Sequence, residues 1–386
     1  MTRILIMAGE ASGDQHGAAL ARALKARDPA VHLFGLGGQL MRKAGVTLLQ
    51  GIERLDIVGL PSPAELAKAL QTLRTLSDHL RANRYDAVVF IDNPGLNLKL
   101  AKVAKRAGHR VVYYIAPQLW AWNYRRIRVI QKVVDHVLVI LPFEEDIYRR
   151  AGVPCTFVGH PLIDELPENF DVAGLRRELG SSQQTTVVGL LPGSRQREVR
   201  TLLPIMLEAA GRLAQSADGH RRYLFVLGKA RSIPLALVNE LLARAPVPVT
   251  VWDDRANDVM AVSQAMWVAS GTATLQTALV GTPMTIVYRA DAITAFLVRR
   301  LIRVKWLGLA NLIAGRTIAR EFLQEDCTPA NLAEDAIRLL NDSGAARAST
   351  AAASELRARL GQAGASLRAA DAILAECRSP AAAPVT

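Results

Sequence analysis

The stretch Val268–Tyr288 reads VASGTATLQTALVGTPMTIVY and predicts a strand, a helix and a second strand. The first strand ends at Ser270, the helix opens at Ala273, and a glycine turn at Gly281 leads into the next apolar strand. The first amides of a helix have no intrahelical partners and lie at the positive end of the helix dipole. A strand–turn–helix junction of this kind is a place where phosphate or pyrophosphate binds. A well-capped helix without a ligand is the alternative.

Outward from this stretch, short apolar strands alternate with amphipathic helices, as in Arg3–Met7 followed by Gly13–Ala26. Continuous apolar strands in such an alternation indicate parallel sheets covered on both faces. A chain of 386 residues exceeds one ordinary core, so we expect two domains. The predicted fold class is α/β, with two Rossmann-like doubly wound domains that face a cleft at the carboxyl ends of their strands.

The domain boundaries follow from local composition. The polar, proline-bearing segment Pro161–Phe170 is the best linker, which predicts an N-terminal domain at 1–165 and a C-terminal domain at 166–340. Residues 341–386 form a helical tail rich in alanine and arginine. Its helices have two alternative places, either back on the first domain or on a partner subunit in a homodimer.

Bulk composition narrows the classes of partner. A net charge of +12 suits an anionic membrane surface or a phosphorylated substrate, and a generally basic proteome is the alternative. The aromatic and basic stripes of RNA-binding surfaces are missing, so we expect no nucleic acid partner. The three cysteines lie far apart, which argues against a zinc site or a disulfide framework and suits a reducing compartment.

Membrane contact is predicted at the surface only. No apolar run reaches the ~18 residues that span a bilayer, and the amino terminus lacks the features of a signal peptide. Phe296–Trp306 mixes bulky apolar and basic residues, and Leu60–Leu80 has apolar residues at helical spacing. Both indicate a surface anchor, with a core helix that has one solvated face as the alternative.

The segment Ala8–Asp14, AGEASGD, follows the opening strand. Its small residues allow a ligand or another backbone to approach closely, and Ser12 or Asp14 can cap the next helix. A tight structural turn is the alternative. The segment is not GxGxxG, so it does not support a dinucleotide fingerprint.

The segment Val88–Asn97, VVFIDNPGLN, places Asp92 at the carboxyl end of an apolar strand. Open α/β sheets present their active groups at that edge, and Pro94 turns the chain away from the strand. A carboxylate there can take a proton from an attacking hydroxyl. A cap for the helix that begins near Leu96 is the alternative.

Two further segments combine unusual residues. In APQLWAWNYRRIRV, Trp120 and Trp122 suit sugar rings or acyl chains, and the arginines that follow, Arg126 among them, suit phosphate. A buried tryptophan pair beside a solvated basic helix face is the alternative. In LLPGSRQREV, Arg195 is expected in the first turn of a helix, where a cation opposes the dipole unless an anion binds.

Asn311 stands between apolar residues in the segment NLIAGR. An amide buried without a partner is costly. The side chain therefore either reaches a ligand or satisfies a backbone group.

Eight motifs occur in an order that resembles one bacterial family: AGEASGD, IDNPGLN, APQLWAW, LPFE, VGHPL, LLPGSR, SGTATLQ and NLIAGR. The chain resembles the lipid-A-disaccharide synthases from about residue 4 to about residue 340. The resemblance implies a GT-B glycosyltransferase that joins UDP-diacylglucosamine to diacylglucosamine 1-phosphate, giving a β-1,6-linked disaccharide 1-phosphate and UDP. It also implies an inverting reaction, no metal or other cofactor, and a cytoplasmic enzyme held peripherally at the inner face of the cytoplasmic membrane.

The resemblance assigns roles to residues. Asp92 is the candidate base, which agrees with its position at a strand end. The candidate donor-binding residues are Arg195, Ser270, Gly271, Thr272, Ala273, Gln276, Asn311 and Arg316. Of these, Arg195 and the turn 270–273 are expected to hold the diphosphate in place of a metal. The candidate acceptor or lipid residues are Ser12, Asp14, Asn97, Trp120, Trp122 and Arg126.

Three positions depart from the family pattern. Gln276 stands where family members often carry a glutamate for the ribose hydroxyls, and Gly95 and Asn123 stand where an acidic residue and an arginine are common. The rival hypotheses are another UDP-sugar glycosyltransferase or epimerase of the same fold, and a basic α/β protein that binds a membrane or nucleic acid without catalysis.

Overall fold

The computed structural model describes residues 1–9, 11–49, 63–117, 119, 124–167, 169–182, 184–216, 221–290 and 305–378. Contacts divide the chain into two compact units. The first unit comprises Met1–Asp164 and Leu360–Thr386, and the second comprises Glu165–Arg359.

The first unit contains a parallel sheet of seven strands in the order β3-β2-β1-β4-β5-β6-β7. Successive side chains of a strand point to opposite faces. Accordingly Ile4 and Ile6 of the first strand belong to one apolar cluster, whereas Leu5 and Met7 belong to another. The strands are β1 Arg3–Ala8, β2 His32–Leu36, β3 Thr47–Leu48, β4 Ala87–Ile91, β5 Val111–Tyr114, β6 His136–Val139 and β7 Cys155–Phe157.

Helices connect these strands. They are α1 Ala11–Arg27, α2 Gln39–Lys43, α3 Pro63–Ala82, α4 Pro94–Arg106, α5 Ile127–Val133, α6 Pro142–Arg150 and α7 Leu162–Glu165, and a 3₁₀ turn at Tyr124–Arg126 precedes α5. The predicted linker Pro161–Phe170 therefore contains the short helix α7, and the boundary between the units falls inside it.

The second unit contains a parallel sheet of six strands in the order β10-β9-β8-β11-β12-β13. Its strands are β8 Thr185–Leu191, β9 Arg222–Lys229, β10 Val249–Asp253, β11 Ala265–Ala269, β12 Met284–Tyr288 and β13 Arg320–Leu323. Its helices are α8 Val172–Glu178, α9 Gln196–Gln215, α10 Leu235–Leu242, α11 Ala256–Val262, α12 Thr272–Val280, α13 Leu309–Ala314, α14 Pro329–Asn341 and α15 Ala345–Leu360. The predicted class, α/β with two Rossmann-like doubly wound domains, is confirmed.

The two C-terminal helices belong mainly to different units. α15 packs on the second unit, where Arg357 donates to the carbonyl of Leu279 at 3.2 Å. The last helix, α16 (Ala365–Arg378), returns to the first unit and adds Ala369 and Ile373 to the core beside α1. Of the two places that the sequence left open for the tail, α16 takes the first.

Three strands were not predicted: β3, β7 and β13. Each is an edge strand of its sheet and is at most half-buried along most of its length. An edge strand is short and needs no continuous apolar run, so it leaves a weak signal in the sequence.

Within the described residues, no helix is long and apolar enough to cross a membrane. The predicted surface anchor Phe296–Trp306 lies outside the described residues except for its last two, and Leu60–Leu80 is described only from its fourth residue onward.

Candidate functional site

A cavity of about 310 Å³ lies in the second unit at the carboxyl ends of β8, β9 and β11, and we call it the two-turn cavity. The motifs LLPGSR and SGTATLQ both contribute to its walls. The lining residues are Leu191, Gly193, Ser194, Arg195, Glu198, Gly228, Ala230, Ala256, Ala269, Ser270, Gly271, Thr272, Ala273 and Gln276. Two turns that lie about 80 positions apart in sequence thus meet at one sheet edge, because parallel strands end there together.

Two helices, α9 and α12, begin at this cavity. At their N-cap positions, Arg195 and Gly271, no side chain caps a backbone amide of the helix. Two helix starts without side-chain caps therefore place partial positive charge around the same space. Gly271 has a φ of +141°, a conformation open to glycine but strained for other residues, so the second turn depends on glycine at this position.

Arg195 is the N-cap of α9 and does not lie in its first turn as predicted. Its Nη1 lies 3.0 Å from Oε1 of Glu198, and its side chain is 59% exposed. The other oxygen of Glu198 accepts from the amide of Ser194 at 3.3 Å. Glu198 thus supplies a negative charge beside the arginine within the chain, and phosphate binding at Arg195 stays a prediction.

The turn 270–273 uses its groups in different ways. The Ser270 hydroxyl donates to the carbonyl of Leu307 at 2.9 Å, so it supports a neighbouring loop and has no proton left for a ligand. Gln276 is half-buried and lies one helical turn beyond Ala273, on the same face. Its amide makes no hydrogen bond to another described residue and remains available at the cavity wall.

Asn311 is fully buried, and its amide is satisfied within the chain. Nδ2 donates to the Ala319 carbonyl and to Glu321, both at 2.8 Å, and Oδ1 accepts from the amides of Ile318 and Ala319. The structure therefore favours the alternative in which Asn311 satisfies backbone groups. Among the described residues that line the two-turn cavity, Asn311 does not occur.

Arg316 also lies outside the described lining of the cavity. Its Nη2 lies 2.7 Å from Oε2 of Glu355 on α15. The guanidinium therefore joins the loop after α13 to a C-terminal helix.

In the first unit, Asp92 directly follows β4 and has a φ of +46°, and Asn93 has a φ of +42°. Aspartate and asparagine adopt left-handed backbone more readily than other residues that carry a Cβ, because their short polar side chains can hydrogen-bond locally. Asn93, not Asp92, is the N-cap of α4, because its Oδ1 accepts from the amide of Leu96 at 3.5 Å. The alternative in which Asp92 caps this helix is therefore wrong.

Two predicted acceptor residues are buried and hold backbone groups. The Asp14 carboxylate accepts from the amides of Gly38 and Met41 at 2.6 and 3.1 Å, so it caps α2 and not its own helix as predicted. Asn97 donates to the carbonyls of Ile91 and Asp92. These contacts correct the expectation that Asp14 and Asn97 face an acceptor.

The remaining predicted acceptor residues are Ser12, Trp120, Trp122 and Arg126. Arg126 ends the turn before α5, and its charge partly opposes the burial that raises the pKa of the Tyr113 hydroxyl. Trp120, Trp122 and the side chain of Ser12 lie outside the described residues.

Comparison with known proteins identifies the family. The model of the lipid-A-disaccharide synthetase family matches residues 4–375. A lipid-A-disaccharide synthase of Trichlorobacter lovleyi is 43% identical over 378 residues, which cover 96% of this chain and 97% of that protein. The chain belongs to the lipid-A-disaccharide synthetase family. It is therefore a glycosyltransferase of lipid A biosynthesis, with a UDP-sugar donor and an acceptor as substrates.

Solved structures of other proteins share the fold of this synthetase family member. A UDP-N-acetylglucosamine 2-epimerase from Listeria monocytogenes, described as putative, superposes with a TM-score of 0.64 at 12% identity, covering 97% of this chain and 95% of that one. MurG from Acinetobacter baumannii superposes with a TM-score of 0.59 at 14% identity, covering 97% and 100%. At these identities the likeness shows the GT-B fold alone.

Three residues of the two candidate regions, Glu198, Gly228 and Tyr113, could not be predicted from the sequence. Glu198 gives no signal by itself, because only the start of α9 brings its carboxylate to Arg195, three residues earlier. Gly228 carries no charge, and a Cβ there would lie 2.5 Å from Leu191. Tyr113 reads as an ordinary strand residue, and only the packing of β5 against β4 places its hydroxyl near Asp92.

Proposed function

We propose that the chain transfers 2,3-diacylglucosamine from UDP-2,3-diacylglucosamine to 2,3-diacylglucosamine 1-phosphate, forming the β-1,6-linked disaccharide 1-phosphate and UDP. The observation that carries the proposal is the two-turn cavity, where two helix starts without side-chain caps meet beside Arg195. A diphosphate is a ligand that such a place suits. Family membership supports acylated glucosamines of lipid A biosynthesis as the sugars of the substrates.

In the proposed reaction the 6-hydroxyl of the acceptor gives its proton to the Asp92 carboxylate while its oxygen bonds to the anomeric carbon of the donor. The bond from that carbon to the diphosphate oxygen breaks, and UDP leaves with the electron pair. Attack on the face opposite the leaving group inverts the anomeric centre. The first amides of α9 and α12, together with Arg195, stabilise the charge on the departing diphosphate without a metal.

Peripheral binding at the inner face of the cytoplasmic membrane is part of the same proposal. Both substrates carry two acyl chains, and a net charge of +12 favours an anionic lipid surface. We expect the protein to sediment with vesicles that contain phosphatidylglycerol, and to do so less at high salt. Equal binding to neutral vesicles would contradict the electrostatic part.

The test is an assay of the purified protein with both substrates. We expect UDP release only when diacylglucosamine 1-phosphate is present, a β-1,6 linkage by NMR, and the same rate with EDTA. An epimerase would instead convert the UDP-sugar without an acceptor. A folded protein that releases no UDP with this pair of substrates would overturn the proposal.

A further inference from the structure

Three residues other than glycine with left-handed backbone lie close together at the carboxyl ends of β4 and β5. They are Asp92 and Asn93 after β4 and Ile115 after β5, and the Asp92 amide donates to the carbonyl of Tyr114 at 3.3 Å. Ile115 is β-branched, and such residues rarely adopt this conformation. Strain of this kind persists only where the surrounding structure enforces it, and it often marks functional sites.

Two buried side chains hold the peptide that follows Asp92. The Tyr113 hydroxyl donates to the Asp92 carbonyl at 2.6 Å, and Asn97 Nδ2 donates to the same oxygen at 2.7 Å. Tyr113 is fully buried and Asn97 is 1% exposed. One carbonyl thus receives two donors from two different elements, β5 and α4, which restricts the direction of the Asp92 backbone.

The surroundings of Tyr113 keep its hydroxyl a donor. Burial, reinforced by the Asp92 carboxylate, raises the pKa of Tyr113 well above its usual range, although Arg126 opposes this shift. The hydroxyl therefore stays protonated at any pH used for an assay. Its ring packs near Phe90 of β4, with a centroid distance of 6.2 Å, so the group cannot turn away easily.

We propose that Tyr113 is a positioning residue: together with Asn97 it holds the Asp92 carbonyl and thereby directs the Asp92 carboxylate toward the acceptor hydroxyl. The inference rests on the proposed function of Asp92 as the base. Glycine would relieve the strained backbone at position 92 but would remove the carboxylate. The chain keeps the carboxylate and uses two buried donors to hold the left-handed peptide.

The direct test is Tyr113→Phe, which removes one hydroxyl and leaves the ring in place. A small misplacement of a catalytic group can cost about 10²-fold in rate, so we expect kcat to fall about 10- to 100-fold. The KM for the UDP-sugar and the affinity for UDP should stay within about twofold, because the two-turn cavity is formed by the second unit. A loss of folded enzyme alone would also lower the apparent kcat at unchanged KM, so kcat is calculated per folded site, with the folded fraction taken from the stoichiometry of UDP binding.

Tyr85→Phe is the matched control. Tyr85 is also buried in the first unit, and its hydroxyl is hydrogen-bonded to Nε2 of His79 at 2.8 Å. It precedes β4, at the opposite end of the strand from Asp92. We expect Tyr85→Phe to lose similar stability, read as a shift in Tm, while its kcat stays within twofold of wild type.

A second variant and a coupling measurement separate this inference from the proposed function. Asn97→Asp removes the other donor and should also lower kcat with little change in KM. In an Asp92→Asn background, Tyr113→Phe should have almost no further effect on the residual rate, because there is no base left to position. A Tyr113→Phe kcat equal to that of Tyr85→Phe would overturn the inference and leave the base in place, whereas full activity of Asp92→Asn would overturn the base itself.

Discussion

The wall of the two-turn cavity in the second unit contains three glycines and two helix starts. The Asp92 region of the first unit depends instead on side chains that hold one left-handed peptide. Helix amides bind phosphate through groups that every residue carries. The Asp92 carboxylate, in contrast, is a side-chain group that no backbone group can replace. Single substitutions should therefore damage the first region most, and the second should fail mainly where its backbone path changes.

Asp92→Asn should give the largest effect. Removal of a general base costs about 10²- to 10⁴-fold, so we expect kcat to fall by that factor while UDP binds as before. Steady-state kinetics and calorimetric titration with UDP measure the two quantities. A loss of UDP affinity as large as the loss of kcat would show that the Asp92 region also contributes to UDP binding.

Gly271→Ala should be the most damaging single change in the two-turn cavity. The φ of +141° is strained for alanine although open space surrounds the added Cβ, so the turn must adopt another path. We expect the Kd for UDP to rise about tenfold or more, which corresponds to about 1.4 kcal/mol.

Gly180→Ala is the control for that change. Gly180 also has a positive φ, +60°, with no atom near the added Cβ, and it lies in the same unit away from the described lining. It should lower Tm without changing the Kd for UDP. Equal losses of UDP affinity in both variants would remove the special role of the Gly271 turn.

The pair Arg195 and Glu198 should move UDP affinity in opposite directions. Arg195→Ala removes a charged donor from the cavity and should weaken UDP binding about tenfold, since a charge-assisted bond contributes about 1.5–3 kcal/mol and this side chain is exposed. Glu198→Gln removes the competing negative charge and should tighten it about two- to fivefold. Weaker binding in Glu198→Gln would mean that Glu198 instead orients Arg195.

Gln276→Glu should change UDP affinity by a smaller factor. A carboxylate accepts more strongly from ribose hydroxyls than an amide does, so we expect about two- to fivefold tighter binding of UDP. The gain should vanish with 2′,3′-dideoxy-UDP, which lacks both hydroxyls. A gain that persists with this analogue would place residue 276 away from the ribose.

Acidification should distinguish the units by stability. Burial lowers the pKa of His16 to about 4 and that of His160 to about 3, both in the first unit. Their neutral forms stabilise the fold fully above the ordinary histidine pKa near 6.5, and this stabilisation declines as pH falls toward the lowered values. Hydrogen exchange between pH 7 and pH 5 should show earlier opening of β1 and β4 than of β8 and β11; uniform opening would contradict this.

The local parts of the site could be predicted from sequence. The turns around Gly193 and Gly271 and the strand end at Asp92 follow from patterns of a few neighbouring residues, and the structure has each at the carboxyl end of a strand. The partners of single polar groups could not be predicted. Asp14 caps a helix more than 20 positions away, because burial selects a partner by packing and not by sequence distance.

Edge strands and the partners of charged side chains also could not be predicted from the sequence. The strand Arg320–Leu323 is mostly half-buried, so its residues show no apolar pattern that differs from a loop. The charge around Arg195 depends on where α9 begins. The sequence predicts Arg195 in the first turn of this helix, whereas the structure has it just before that turn, as the N-cap. Element types are therefore more predictable than the contacts that decide the chemistry.

The return of α16 to the first unit has a consequence for synthesis of the chain. Ala369 and Ile373 complete the core beside α1, yet they are made after the whole second unit. The second unit, a continuous segment of the chain, can finish folding as it leaves the ribosome, whereas the first must wait with an apolar groove on α1 still open. A nascent chain stalled before residue 365 should therefore bind chaperones through its amino-terminal half and release them only after the last helix has emerged.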